Sequence, residues 1–314
     1  MHSQAEGRSD IILYHSPLLY ATRKVVMYLQ ERKIPYKSFC VDFIGYEHYE
    51  PWFIKLNGKG ELPVIKHRGN VVNVRDPEQM MDYLEKEFDT PPKLALADQN
   101  KTEQKKYQQM REKMQNLRMD IIFFGCMKYP ELTSGMQFSP REMKWFMELQ
   151  GNKSRALQKC EKKYPSLRQH YITSLDKIKH LDKEWEDKVR VMERLEDVEA
   201  ILDQVERQLV TQNGTGDTYL FGKQFTIGDI DLIILLQQLD VLSLSERFWE
   251  GGTRPKLAAY YNRVKNRPSL KVAVEVNLMK HILYPKIRRN AGFLIGSVVL
   301  LTAVAVGAWW YTRS

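Results

Sequence analysis

Gly60-Glu61-Leu62-Pro63-Val64-Ile65, continued through Lys66 and His67 to the turn Arg68-Gly69-Asn70 and then Val71–Val74, is a hairpin in outline. Apolar residues alternate in its arms and a Gly-Asn turn joins them. Upstream, Asp10–Tyr14 (DIILY) reads as a buried strand. A helix follows from Thr22 to Glu31, with Val25, Val26 and Leu29 on one face. Pro35 and Tyr36 open a second short strand, Tyr36–Asp42. A helix-forming stretch, Glu47–Leu56, leads to Asn57-Gly58. Downstream, a helix from Pro77 to Phe88 closes the unit. The order β-α-β-α-β-β-α predicts a thioredoxin-like domain over residues 10–90, after a disordered start at 1–9.

A Pro-rich link, Asp89–Lys93, ends that domain. Beyond it the pattern is helical, so the fold class is α+β followed by all-α, with the second domain over 94–285. Gln99–Leu117 carries Tyr107, Met110, Met114 and Leu117 on one side. Thr226 with Asp229 three residues on is a variant capping box before an apolar helix, Ile230–Leu242. A long helical insertion occupies about 140–211. From Tyr171, apolar residues recur at helical spacing through Leu175, Ile178, Leu181, Trp185, Val189, Met192, Leu195, Val198, Leu202, Val205 and Leu209, with charge on the other faces. That stripe fits a helix packed on its own domain, or a coiled-coil-like helix projecting toward a partner. The Lys-rich stretch Ser154–Arg168 fits a solvated face or mobile loop, with a lipid-binding patch as the alternative.

The run Ala291 to Tyr311, AGFLIGSVVLLTAVAVGAWWY, has no charge and the length of a bilayer span. Lys286, Arg288 and Arg289 precede it, and Trp309, Trp310 and Tyr311 suit an interfacial aromatic belt. A C-terminal transmembrane helix acting as a tail anchor is therefore expected, so a membrane is the first partner. The start, MHSQAEGRSD, reads as neither a secretory signal nor a convincing transit peptide. Cys40, Cys126 and Cys160 are widely spaced, which suits a reducing compartment and gives no metal motif. Net charge is +9 and no nucleic-acid motif accompanies it.

Gly60-Glu61-Leu62-Pro63-Val64 resembles the G-x-V-P-V segment of glutathione transferases, whose proline peptide is cis and whose preceding residue presents its backbone to glutathione. The resemblance places that role on Leu62 and Pro63. The family's thiolate-supporting Ser, Cys or Tyr falls at Leu19, which has neither hydroxyl nor thiol. Tyr20 and Ser16 are neighbours able to substitute, although a helix residue and a turn residue explain them as well. The family's Glu/Gln-Ser at the last helix of this domain falls at Asp76-Pro77, where no hydroxyl remains. The resemblance continues in Phe225–Asp231, Arg254–Tyr261 and Val264–Pro268. It makes Thr226 and Asp229 a folding element. Ordinary transferases lack most of the insertion.

With the insertion and tail, the chain resembles the ganglioside-induced differentiation-associated proteins. The matching strings are Glu50-Pro51-Trp52-Phe53, Gly125-Cys126, Pro130-Glu131-Leu132-Thr133, Gly151-Asn152 and Leu202-Asp203-Gln204-Val205-Glu206. The resemblance implies the mitochondrial outer membrane, with the body in the cytosol, and work in network dynamics, fission, redox homeostasis and organelle contacts. Peroxisome and endoplasmic reticulum stay open as addresses. It also implies weak conjugating activity, weak glutathione binding at most, protein partners on the charged insertion, and a homodimer as one arrangement. An adaptor or sensor is the leading expectation. A tethered active transferase and a module for a small hydrophobic or acidic ligand are the alternatives.

Overall fold

The computed structural model describes residues 10–74, 76–96, 101–181, 184–212 and 218–289. The expected disordered start and the run from Ala291 to Tyr311 lie outside the described residues. No described helix is long and apolar enough to cross a membrane.

Strands β1 (Ile11–His15), β2 (Lys37–Cys40), β3 (Val64–His67) and β4 (Asn70–Val71) form one sheet in the order β2-β1-β3-β4. β1 runs parallel to β2 and antiparallel to β3, with Leu13 opposite both Ser38 and Ile65. Side chains alternate across a strand. Ile11, Leu13 and Ile65 thus enter the main core with Val25 and Leu29 of α1 (Tyr20–Glu31) and Met81 and Leu84 of α3 (Pro77–Glu87). Tyr14 and Val64 turn to the other face, where Phe53 of α2 (Pro51–Leu56) joins Val41 and Leu62. This is a thioredoxin-like domain.

Two boundaries differ from the sequence pattern. The helix expected over Glu47–Leu56 is split into a 3-10 turn, Glu47–Tyr49, and α2. Pro51 explains this: it suits the first position of a helix and disfavours helix in the residue before it, and Glu50 is extended. The strand expected over Val71–Val74 starts at Asn70, because Arg68 and Gly69 take positive φ and close the turn one residue earlier, and its last ladder contact is the Val72 N–H donating to the Ile65 carbonyl at 2.9 Å.

The second domain comprises α4 (Lys101–Gln115), α5 (Met119–Lys128), α6 (Pro140–Lys163), α7 (Arg168–Leu181), α8 (Lys188–Thr211), α9 (Ile227–Val241), α10 (Pro255–Val264) and α11 (Pro268–Val274). α9 is rich in Ile and Leu and buried nearly all round, with Asp229, Asp231 and Gln238 buried among them, so it is central. α1 packs on α9 and α11, joining the domains. Arg267 grips Glu31 across that seam through two hydrogen bonds of 2.8 Å.

The stripe from Tyr171 to Leu209 is not one long helix. It breaks before α8, whose first turn Asp187 caps through the Val189 N–H. Val191, Leu195, Val198, Leu202 and Val205 of α8 are fully buried in the main core. α5 reaches α8 at Gly125, where a Cβ would strike Val191. α8 therefore belongs to the domain body, and α6 with α7 forms a separate hairpin beside it. Leu157, Cys160, Tyr171 and Ile178 of that hairpin fold onto Tyr49 and Ile54 of the first domain. The Tyr171 hydroxyl donates to the Tyr49 carbonyl at 2.8 Å.

Candidate functional site

The sequence-derived positions meet around the N-termini of α1 and α3. Leu62-Pro63 is a cis peptide. Leu19 is the residue before α1, and with Leu62, Tyr14, Phe39 and Phe43 it lines the apolar cluster on the α2 face. It offers a thiolate no donor from its side chain. Ser16 is buried, 1% exposed, beneath the same turn, and its carbonyl accepts the Leu19 N–H at 3.1 Å.

Tyr20 points the other way, into the seam between domains. Its hydroxyl is buried without a hydrogen-bond partner among the described residues. Burial pushes it up to about 12, the Lys24 charge opposing and Asp231 and Glu78 adding to the rise. Such a phenol stays protonated at neutral pH.

Asp76 caps α3, its carboxylate accepting the Gln79 N–H at 2.8 Å. Pro77 fills the first helical position. One of the free N–H groups that give a helix start its affinity for anions is thus spent on the chain's own carboxylate, and proline supplies none.

Sequence reasoning did not single out the groups just inside these positions. Lys24 of α1 contacts Glu78 of α3 at 2.5 Å and Asp231 of α9 at 3.2 Å. Arg111 of α4 joins Asp231 at 3.1 Å and Asp82 at 3.0 Å. Asp231 is fully buried and Lys24 nearly so. Burial alone would push Lys24 down, but Tyr20, Asp231 and Glu78 outweigh it and hold it above its usual value. Burial raises Glu78, with Lys24 opposing. Isolated buried charges are too costly to persist, so each is paired across helices. The available signal was a charge set inside an apolar helix: Asp231 lies between Ile230 and Leu232. A cavity of about 270 Å³ opens here, lined by Glu78, Asp82, Arg111 and Glu112 among others. Its carboxylates outnumber its cations. A larger one, about 390 Å³, lies by β4 and Tyr83 and includes none of the positions above.

Thr226 and Asp229 stand apart from this site and support the fold. The buried Asp229 carboxylate accepts from the Thr226 N–H and hydroxyl, the Leu220 N–H and the Tyr260 hydroxyl, each at 2.8 Å. Among the described residues no cluster of His, Cys, Asp and Glu is arranged to hold a metal.

A thioredoxin-like domain with a cis proline beside its first helix, joined to a helical domain built on a capped central helix, is the glutathione-transferase fold. Residues 21–87 match the glutathione S-transferase N-terminal domain and residues 183–263 its C-terminal domain. The chain is similar to ganglioside-induced differentiation-associated protein 1-like 1 of Homo sapiens, 28% identical over 325 residues that cover 98% of this chain and 87% of that one. Glutathione S-transferase TCHQD of Arabidopsis thaliana is 26% identical over 262 residues, covering 83% of this chain and 88% of that protein. Among solved structures, a glutathione S-transferase from the Antarctic clam Laternula elliptica shares the fold, with a TM-score of 0.54 and 18% identity over 89% of this chain and 98% of that one.

Proposed function

We propose that this chain is a tail-anchored member of the family that acts at the mitochondrial outer membrane as an adaptor or sensor in network dynamics, fission and redox homeostasis, with little conjugating activity. The observation that carries it is the packing of Leu19, the residue the resemblance puts at the thiol-activating position, in an apolar cluster. The self-capped α3 and its acidic surroundings agree with it. On this reading the charge-free run from Ala291 to Tyr311 supplies the tether, and the organelle is the one that the sequence resemblance to the ganglioside-induced differentiation-associated proteins implies. The reading as a module for a hydrophobic ligand draws on the same apolar cluster.

Two assays test this. In cells, a chain ending at Arg289 should leave the mitochondrial fraction for the cytosol, and the body of the full chain should be cleaved when protease is added to intact mitochondria. Retention of the shortened chain sinks the tail as anchor. In solution, turnover of glutathione with a standard electrophile should stay at the buffer rate. Turnover that disappears in Tyr20→Phe or Ser16→Ala would establish a tethered transferase instead.

A further inference from the structure

The arginines just before the apolar run are already engaged. The chain after α11 returns to the first domain: a π-helical turn, Leu278–Leu283, runs into helix at 284–289. This segment ends against the connector between β2 and α2. One Arg288 terminal nitrogen lies 2.6 and 2.7 Å from the two Glu47 oxygens and 3.3 Å from the Cys40 carbonyl. The Arg288 guanidinium lies over the Phe39 ring, 4.0 Å from its centroid. Arg289 pairs with Asp42 at 3.2 Å and donates to the Gly45 carbonyl. The Cys40 thiol lies 3.5 Å from the His281 carbonyl.

The receiving side is prearranged. The Glu47 and Asp42 side chains are 5% and 6% exposed. Local backbone N–H groups orient both: Asp42 N–H donates to Glu47 at 2.7 Å, and Gly45 N–H to Asp42 at 2.8 Å. Gly45 leaves room for the contact, since a Cβ there would overlap both the Arg289 guanidinium and the Asp42 carboxylate. Two buried carboxylates need cationic partners, and a guanidinium over an aromatic face suits the site.

We propose that residues 39–47 form an arginine-receiving notch whose occupant is the chain's own segment 288–289, so that the body is seated on its tail instead of hanging from a free linker. The consequence for a membrane rests on the tail-anchor reading above. If the span starts at Ala291, the chain from Arg289 reaches it within about 7 Å even when extended. The β2–α2 connector is then the face held against the headgroups. Arg288 and Arg289, which the sequence offers to lipid, are held by protein.

Hydrogen exchange on the full chain tests the notch, in detergent micelles and in lipid nanodiscs. Amides of 284–289 should be protected in both. Arg288→Ala with Arg289→Ala should speed their exchange by about tenfold or more, leaving α1 unchanged. Glu47→Gln should do the same from the receiving side, and adding it to Arg288→Ala should bring little further change, as expected of one coupled contact. Should Glu47→Gln unsettle the whole body, the arginine variants still give the readout. Free-peptide exchange at 284–289 in the native chain, or exchange untouched by the arginine changes, overturns the proposal. Flotation of the same protein with liposomes separates the two ideas: protection without flotation ends the tail-anchor reading and leaves the notch standing.

Discussion

A glutathione thiol with a pKa near 8.5 is only about 3% thiolate at pH 7, so a transferase needs a group that favours the ionised form. Leu19 supplies none, and Tyr20 is turned into the seam with a hydroxyl raised to about 12. Tyr20→Phe removes a buried hydroxyl that lacks a partner among the described residues. It should shift stability by less than about 1 kcal/mol, measured by urea unfolding. Asp231→Asn is the contrast. It takes the shared carboxylate from Lys24 and Arg111 and should cost about 3–5 kcal/mol in the same assay. His48 gives a pH dependence. It is buried against Phe43 and Tyr49, and burial, with Lys153 adding, lowers it from 6.5 to about 3. The folded chain keeps it neutral while the unfolded chain takes a proton below 6.5. Its contribution is therefore intact above pH 6.5 and lost as pH falls toward 3, by at most about 1.4 kcal/mol per pH unit. His48→Phe should flatten that part of the stability profile relative to the parent; identical slopes would show that His48 does not titrate differently on folding.

At the scale of elements, the first domain was legible because its signals are local. Apolar alternation, a Gly-Asn turn and a proline at a helix start each act within a few residues, and β1, α1, β3 and α3 appear where those signals lie. The capping box was legible for the same reason. Asp229→Ala removes an acceptor that serves two backbone and two hydroxyl donors, and should destabilise by more than about 3 kcal/mol. A melting point within a few degrees of the parent would contradict that role. The partition of the stripe from Tyr171 to Leu209 was not legible. Heptad-like spacing says that a helix buries one face and is silent on what covers it. In α8 the cover is the main core, while in α7 it is α6 and the 3-10 turn beside α2. Leu157→Ala, at a fully buried hairpin position, should cost about 2–5 kcal/mol. Exchange should then quicken in 140–181 and 46–54 before the rest. Pairs such as Lys24 with Glu78 and Arg288 with Glu47 join residues far apart in the chain, so no window of sequence reveals them.

For the molecule as a whole, the charge lattice and the notch suggest a common plan. Lys24, Glu78, Arg111 and Asp231 tie the first domain to α4 and α9, just inside the positions that the resemblance assigns to glutathione. The notch ties the same domain to the segment that leads to the apolar run. The glutathione-transferase fold is kept, Leu19 stands where the resemblance puts the thiol-activating side chain, and residues 288–289 are held by the first domain. Calorimetric titration of glutathione into the full chain in detergent tests this most directly. The expected result is no saturable heat through millimolar glutathione, and none gained in Tyr20→Phe or Ser16→Ala. Saturable binding tighter than about 1 mM, weakened by either substitution, would contradict it.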